Sequence, residues 1–481
     1  MNIPPIQRQS LISLGSTLAL TAIGFLSTIY FAHVLGPAPL GVFFIFLAFF
    51  GIFNLVGDGG FGGAAVKRIS EGVEQREFFT AFVVLRILLL TISVSALILF
   101  QSVIDGLDTP GILFWLILAL IVSVFSSSTA MGVYGTGKVG IYQTSAFLEV
   151  LVRIIIQVIA VFLGYQVAGL IGGFVIGMLA GGLVNYHYLD LKFARFRKSH
   201  LTNMLGFSFW IFLTSSGALV FSYADTLLIG YFLGTADVGI YRTAFQLTSV
   251  ASFTTLAFNI VLYPKISQWE STGNLSSIEN ALSRSFTYSL LLAIPACFGG
   301  WMLGERLLLF LYGSSFVSGT TAFYFLLLVQ VANVFMYLGT MSLNSINRPK
   351  DAFRVTAIAS AVNIILDIIF IPLFGITGAA VATLIAMALN GSLALHYLSQ
   401  TITLRIEYKS VRHILAASAI MGIVLLLITV FLPLDHVAVV MGVVALGAAI
   451  YFIVLLKTDR KIHDDIHDLV KRFGLTWPEG L

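Results

Sequence analysis

Apolar runs about twenty residues long recur along the whole chain, and each is long enough to cross a bilayer as a helix. Fourteen can be drawn, at roughly 11–34, 40–58, 78–100, 111–133, 141–163, 167–189, 205–233, 238–263, 285–304, 320–342, 352–374, 376–398, 411–432 and 436–457. Only 10% of residues are charged, against about 25% in an ordinary soluble domain. The mean hydropathy is +0.99. The runs are too long for membrane strands and lack their period-two alternation. The longest loops, 59–77 and 264–284, leave no room for a sizeable soluble domain. The fold class is therefore an all-α polytopic membrane protein.

Charge orients it. With a cytoplasmic N-terminus, alternate loops hold Arg8; Lys67, Arg68 and Arg76; Lys138; Lys192, Arg195, Arg197 and Lys198; Lys265 and Arg284; Arg348, Lys350 and Arg354; Arg405, Lys409 and Arg412; and the tail's Lys457, Arg460, Lys461, Lys471 and Arg472. These are 22 of the 26 basic residues. Opposite loops such as QSVIDGLDTPG, GYQVAG, FGITG and PLDH hold almost none. The positive-inside rule puts both termini in the cytoplasm of a cell-membrane protein and supports an even number of spans.

The chain also repeats itself. Leu35, Gly36 and Gly41 return 198 positions later as Leu233, Gly234 and Gly239, in VLGPAPLGVF and FLGTADVGIY. KRIS (67–70) is followed by PKIS (264–267), VAGLIGGFVIG (167–177) by TGAAVATLIAM (377–387), and HYL (187–189) by HYL (396–398). Six spans separate each pair, so both copies keep one orientation: a parallel repeat about an axis along the membrane normal. The expected organisation is an N-lobe of six helices (1–200), a C-lobe of six (201–400), two appended helices (401–457) and a cytoplasmic amphipathic tail (458–481). Two pseudo-symmetric lobes about a central cavity suit alternating access, which points to transport.

FAHVLGPAPLGVF, YADTLLIGYFLGTADVGIYRTAFQL, NSINRPKDAFR and NIILDIIFIPLFGITGAAVATLIA resemble, in that order, segments of polysaccharide-biosynthesis flippases of the multidrug/oligosaccharidyl-lipid/polysaccharide (MOP) exporter superfamily. The resemblance covers helices one to twelve. It implies two lobes forming a V around a cavity whose cations hold a lipid-linked phosphate or pyrophosphate. The implied partners are a lipid-linked oligosaccharide, membrane lipids and glycan-assembly enzymes. The implied work is transfer of that lipid from the inner to the outer leaflet, with no enzymatic step and no cofactor.

Ionisable groups inside spans are costly and face a partner or a cavity. Glu149 and Arg153 stand four residues apart in helix five. Arg153 is about 18 Å along it, near mid-bilayer. They are either an ion pair in the favoured order, or a phosphate-binding Arg with a carboxylate that tunes it or carries a proton. Arg suits phosphate because its planar fork donates two parallel hydrogen bonds. Arg86, about 12 Å into helix three, either snorkels or meets the head group, and Asp58 is its natural partner. Arg242 is a third candidate phosphate contact, with Asp225 on the preceding span as its pairing partner. Asp225, Asp367 and Asp58 join Glu149 as candidates for ion or proton coupling. Asn363 lies one turn before Asp367.

Other motifs dissolve in context. GVYGTGK (132–138) has the spacing of a phosphate loop, but Val139 replaces the Ser/Thr and a membrane helix precedes it. GDGGFGG (57–63) lacks strand–helix surroundings. Neither a nucleotide nor nucleic acid is implied. HDDIH (463–467) reads as a solvated helix face and not a metal site. Ile462, Ile466, Leu469, Val470 and Phe473 line one face of the tail, as in a helix lying on the inner membrane surface. KFARFRK (192–198) suits anionic lipid head groups. The one cysteine, Cys297, lies inside a span as a packing residue, and the first apolar run reads as a retained helix.

Two other readings compete with the flippase. An ion-coupled exporter of drugs or small cations would share the fold but want an acidic cavity. A membrane glycan polymerase or ligase would need a large outer loop, and the outer loops here are short. Anionic cargo moving outward also gains about 2.3 kcal/mol per charge per 100 mV, so no nucleotide is required.

Overall fold

The computed structural model describes residues 5–101, 111–404, 407–432 and 434–472. Most of the segment 101–111, Arg405 and Phe473 lie outside the described residues. The described residues contain helices and no strand. In chain order the helices are α1 (Pro5–Leu35), α2 (Pro37–Asp58), α3 (Phe61–Ser70), α4 (Gln75–Phe100), α5 (Ile112–Gly135), α6 (Val139–Phe162), α7 (Gln166–His187) and α8 (Lys198–Phe232). Then come α9 (Thr235–Thr248), α10 (Phe253–Ser271), α11 (Leu275–Tyr312), α12 (Thr320–Ser345), α13 (Pro349–Ser399), α14 (Tyr408–Phe431), α15 (Val437–Thr458) and α16 (Arg460–Arg472).

Among the described residues, twelve stretches are long and apolar enough to cross a membrane. One of them, α13, has 51 residues. Straight, it would measure about 77 Å, more than twice the hydrocarbon core. It folds back at Gly375, whose φ of 62° and ψ of −147° are non-helical, so its two arms supply two of the expected spans. The shorter apolar stretch Leu20–Leu35 of α1 falls on the first expected span. The eighth expected span is α9 and α10 joined by a short 3-10 turn.

Two stretches expected as loops are largely helical. In 59–77 the helix α3 buries Phe61, Ala64, Ala65 and Ile69. That spacing is an amphipathic face, short enough to be hidden between two long apolar runs. In 264–284, α10 runs on to Ser271, and α11 already begins at Leu275, where Asn274 accepts a hydrogen bond from the Ser277 N–H.

The chain divides into two compact units, Met1–Arg242 and Thr243–Leu481. In the first, Ile69, Phe79, Phe82 and Met204 are buried together. The non-helical segment 188–197 packs Leu189, Leu191 and Phe196 onto that core while Lys192, Arg195 and Arg197 stay exposed. In the second, Ile266, Phe286, Leu338, Ala394 and Tyr451 belong to one core. Ile462 is part of it and fully buried. Ile462, in the first turn of α16, therefore packs on protein. Asp459 accounts for this: its carboxylate accepts the N–H groups of Lys461 (3.1 Å) and Ile462 (3.2 Å), turning the helix back onto the bundle.

Local geometry recurs between the units. The Lys138 N–H bonds the Val133 carbonyl, and 210 positions later the Arg348 N–H bonds that of Leu343. Gly137 and Asn347, at the same interval, both have positive φ. The Lys138 ammonium donates to the Tyr188 carbonyl, and the Arg348 guanidinium to the Tyr397 carbonyl, both at 2.8 Å. In each repeated HYL the histidine and tyrosine rings meet edge to face.

Candidate substrate-binding site

Helix α6 carries the candidate charges Glu149 and Arg153, and α7 packs against it. Gly169, Gly173, Gly177 and Gly181 form a four-residue stripe along α7. A methyl group added at Gly177 would lie 2.7 Å from both Arg153 Cβ and the Glu149 carbonyl oxygen. One at Gly181 would lie 3.0 Å from Glu149 Cβ and from its Oε2. Glycine lets the backbone of α7 run against the polar side of α6, as close helix packing in a membrane requires. The same side of α6 is pinned at both ends. Ser145 Oγ donates to Asn185 Oδ1 (2.9 Å), and Gln157 Nε2 to the Leu170 carbonyl (2.7 Å). Glu149 and Arg153 feel each other's charge, yet no ion pair within 4.0 Å joins them among the described residues. Each remains half-buried, with its charged end available to another group. The stripe is legible in the sequence as GxxxG spacing.

Arg86 sits differently. Its side chain is 2% exposed. One Nη pairs with the Asp58 carboxylate, and the other donates to Asn54 Oδ1 at 2.9 Å and the Ser123 carbonyl at 3.4 Å. Asp58 also accepts the Gly62 N–H (3.3 Å). The pair expected from sequence forms, and it ties α2, α4 and α5 together. Asn54 and Ser123, which complete the network, had no sequence signal, since a lone Asn or Ser in an apolar helix is unremarkable.

At the far end of the unit, the Tyr241 hydroxyl donates to Asp225 Oδ2 at 2.5 Å. Arg242 Nη1 donates to the Ser222 carbonyl (3.3 Å), and its guanidinium lies 5.8 Å from the Phe44 ring centre and 5.7 Å from that of Tyr223. The structure brings to Asp225 the tyrosine beside Arg242, the partner expected from sequence, and Arg242 also has aromatic neighbours, a cation–π arrangement.

In the second unit Asn363 and Asp367 are buried one turn apart on α13, Asp367 completely. On α12, Asn333 donates to Gln330 Oε1 (3.2 Å), and Gln330 to Thr248 Oγ1 (3.1 Å). Buried polar groups of this density are expensive in an apolar bundle.

A family model described as "Polysaccharide biosynthesis protein" matches residues 6–270, more than half of the chain. The chain belongs to the polysaccharide biosynthesis protein family. A MatE model matches residues 211–369, and the two together place this family member in the MOP superfamily. It is 32% identical over 411 residues to "Probable low-salt glycan biosynthesis flippase Agl15" of Haloferax volcanii, covering 83% of this chain and 85% of that one. It is 25% identical over 472 residues to "Probable flippase AglR" of the same organism, covering 97% and 98%. Among solved structures, the lipid II flippase MurJ in an inward closed conformation superposes with a TM-score of 0.78 at 18% identity, covering 94% of this chain and 99% of that one. An inward-facing multidrug resistance MATE family transporter gives 0.63 at 15% identity, covering 79% and 94%. These two likenesses establish the fold of this polysaccharide biosynthesis protein.

Proposed function

We propose that the protein is a flippase, carrying a lipid-(pyro)phosphate-linked oligosaccharide from the cytoplasmic to the outer leaflet by alternating access, for surface polysaccharide or glycan assembly. The observation that carries this reading is its near full-length similarity to two flippases, one of them a glycan-biosynthesis flippase. It is a transporter and not an enzyme, as those relatives are.

In this reading both termini lie in the cytoplasm. Residues 1–200 and 201–400 are the two duplicated lobes, followed by two appended helices and the tail. Recurrence of the 133–138 turn at 343–348, with its basic residue bonded to a tyrosine carbonyl, supports the duplication. Arg153 and Arg242 are the phosphate contacts. Arg86, with its guanidinium already engaged by Asp58, Asn54 and Ser123, holds three helices in place and acts on the head group only through them. Glu149, Asp225 and Asp367 are the coupling candidates. Inner-leaflet lipids meet the basic segment 192–198, and glycan-assembly enzymes supply and consume the cargo.

The test is a leaflet assay with purified protein in liposomes, following a fluorescent polyprenyl-pyrophosphate sugar to the opposite leaflet. Wild type should move it and folded Arg153→Ala should not. Wild type that moves no lipid-linked sugar, but extrudes a cationic dye under an ion gradient, would replace this reading with the multidrug exporter.

A further inference from the structure

Arg86, Arg153, Arg242 and Arg306 are the four basic residues that the inner loops do not hold. The first three belong to the site described above; Arg306 and its neighbour Glu305 do not. Both are exposed near the end of α11, in the second compact unit. With Arg284 at the inner surface, Trp301 stands about 25 Å along the helix and Glu305 about 31 Å. They therefore reach the outer edge of a hydrocarbon core about 30 Å thick. Trp301 is 44% exposed and shares a helix face with Glu305, one turn on. Between them in the chain, Gly304 receives the start of α12. A methyl group there would lie 2.8 Å from Phe323 Cε1 and 3.1 Å from Tyr324 Cε1. The Tyr324 ring thus rests on the α11 backbone at Gly304, and its hydroxyl feels the charge of Glu305. The Trp301 indole N–H donates to the Tyr324 carbonyl at 3.4 Å. Among the described residues no ion pair within 4.0 Å engages Glu305 or Arg306. A tryptophan at this depth can serve as an interfacial anchor, with its N–H among the head groups. Here the protein itself takes that N–H, which fixes the ring by its polar edge and leaves an apolar surface open beside a carboxylate.

We propose that Trp301, Tyr324 and Glu305 form a binding site for a neutral sugar unit of the glycan, on the outer side of the second unit. The inference rests on the flippase reading and deepens it, and it takes its side of the membrane from the basic loops. A pyranose ring has an apolar C–H face and a rim of hydroxyls. The C–H face, weakly positive, suits the negative face of an aromatic ring. The hydroxyls donate to a carboxylate, which accepts at both oxygens and makes the stronger, charge-assisted bond. An aromatic wall with one placed polar group is how small ligands are held and oriented. Glu305 repels an acidic sugar at this point, which makes the unit a neutral one. Arg306 stands on a different side of α11 and is not part of the site. The site holds the glycan at head-group level once its lipid stands in the outer leaflet.

The test is calorimetric titration of the purified full-length protein. The probe is the water-soluble glycan that mild acid releases from the lipid-linked oligosaccharide of the cells that make the protein. Wild type should bind it. Trp301→Ala and Glu305→Gln should each weaken binding by about tenfold or more, the loss of a stacked face or of a charge-assisted bond. Trp301→Phe, which keeps an aromatic face, should lose less than Trp301→Ala. Arg306→Ala should bind as wild type does. Thermal unfolding is measured beside each titration, and Glu305→Gln, an isosteric change of an exposed side chain, carries the test where Trp301→Ala does not fold. A wild type that does not bind the glycan overturns the site, as does affinity within about threefold of wild type in both Trp301→Ala and Glu305→Gln. Reduced stability of Trp301→Ala with unchanged affinity would make the tryptophan an interfacial anchor instead. Weakening by Arg306→Ala alone would replace the neutral sugar with an acidic one. The same proteins enter the leaflet assay. Lipid transfer by wild type with glycan binding indifferent to these changes removes the site and keeps the flippase; binding that depends on Trp301 and Glu305, without transfer, does the reverse.

Discussion

Gly177→Ala is a one-carbon change that separates packing from chemistry. The new Cβ would stand 2.7 Å from Arg153 Cβ and from the Glu149 carbonyl oxygen. Carbon atoms rest about 3.5–4.0 Å apart, so α6 must withdraw by about 1 Å. Helix preference favours Ala over Gly by up to about 1 kcal/mol, while overpacking costs about 1–3 kcal/mol. Crowding wins by about 1 kcal/mol, leaving a folded protein with a displaced Arg153. A charge-assisted hydrogen bond of about 2.8 Å stretched by 1 Å is lost, at about 2 kcal/mol, or roughly thirtyfold in affinity. Binding of a polyprenyl-pyrophosphate sugar to purified protein, measured beside its thermal stability, gives both quantities. Gly206→Ala is the control with open space around it. Affinity of Gly177→Ala within about threefold of wild type would refute the idea that the glycine stripe positions the phosphate contact.

Two further outcomes follow from the ion pairs. Asp58→Ala leaves the Arg86 guanidinium buried without its carboxylate and should cost about 3 kcal/mol. The double variant with Arg86→Met should recover part of that in detergent thermal unfolding, and simple additivity would mean that the pair does not couple. Burial pushes the Asp459 carboxyl up, but hydrogen bonds from Ser410, His413 and the Ile462 N–H outweigh it and hold the group below its ordinary value. Its stabilisation is thus present above the unfolded carboxylate pKa of about 3.9 and lost as pH falls through the lower folded value. The stability difference between wild type and Asp459→Asn should be constant from neutral pH to about 5 and shrink below about 4; a difference that shrinks near pH 6 would implicate another group.

The spans were legible because apolar length is a one-dimensional property, as were the break at Gly375 between two runs and the Arg86–Asp58 pair. The helix α3 was hidden because ten residues with mixed charge read as a loop until Ile69 has something to pack against. The inward turn of α16 was hidden for a related reason. An isoleucine at the start of an amphipathic helix suits a membrane and a protein core equally, and the Asp459 cap sets Ile462 on the core. Among the candidate charges, sequence gave each residue and its depth but no orientation. Arg86 and Arg153 look alike as lone arginines in apolar helices; only their neighbours make one a buried tie and the other a half-buried, uncommitted cation.

By itself, then, the order of residues determined the class of solvent, the all-helical membrane fold and the family, since these depend on composition, length and spacing. Tertiary structure alone decided what each repeated element meets. The LG turns are 198 residues apart in the chain, and nothing in either copy says that its glycine rests on the other's carbonyl. That contact exists because folding lays Gly41 on the Thr235 carbonyl and Gly239 on the Pro37 carbonyl, a relation between segments that neither segment encodes locally.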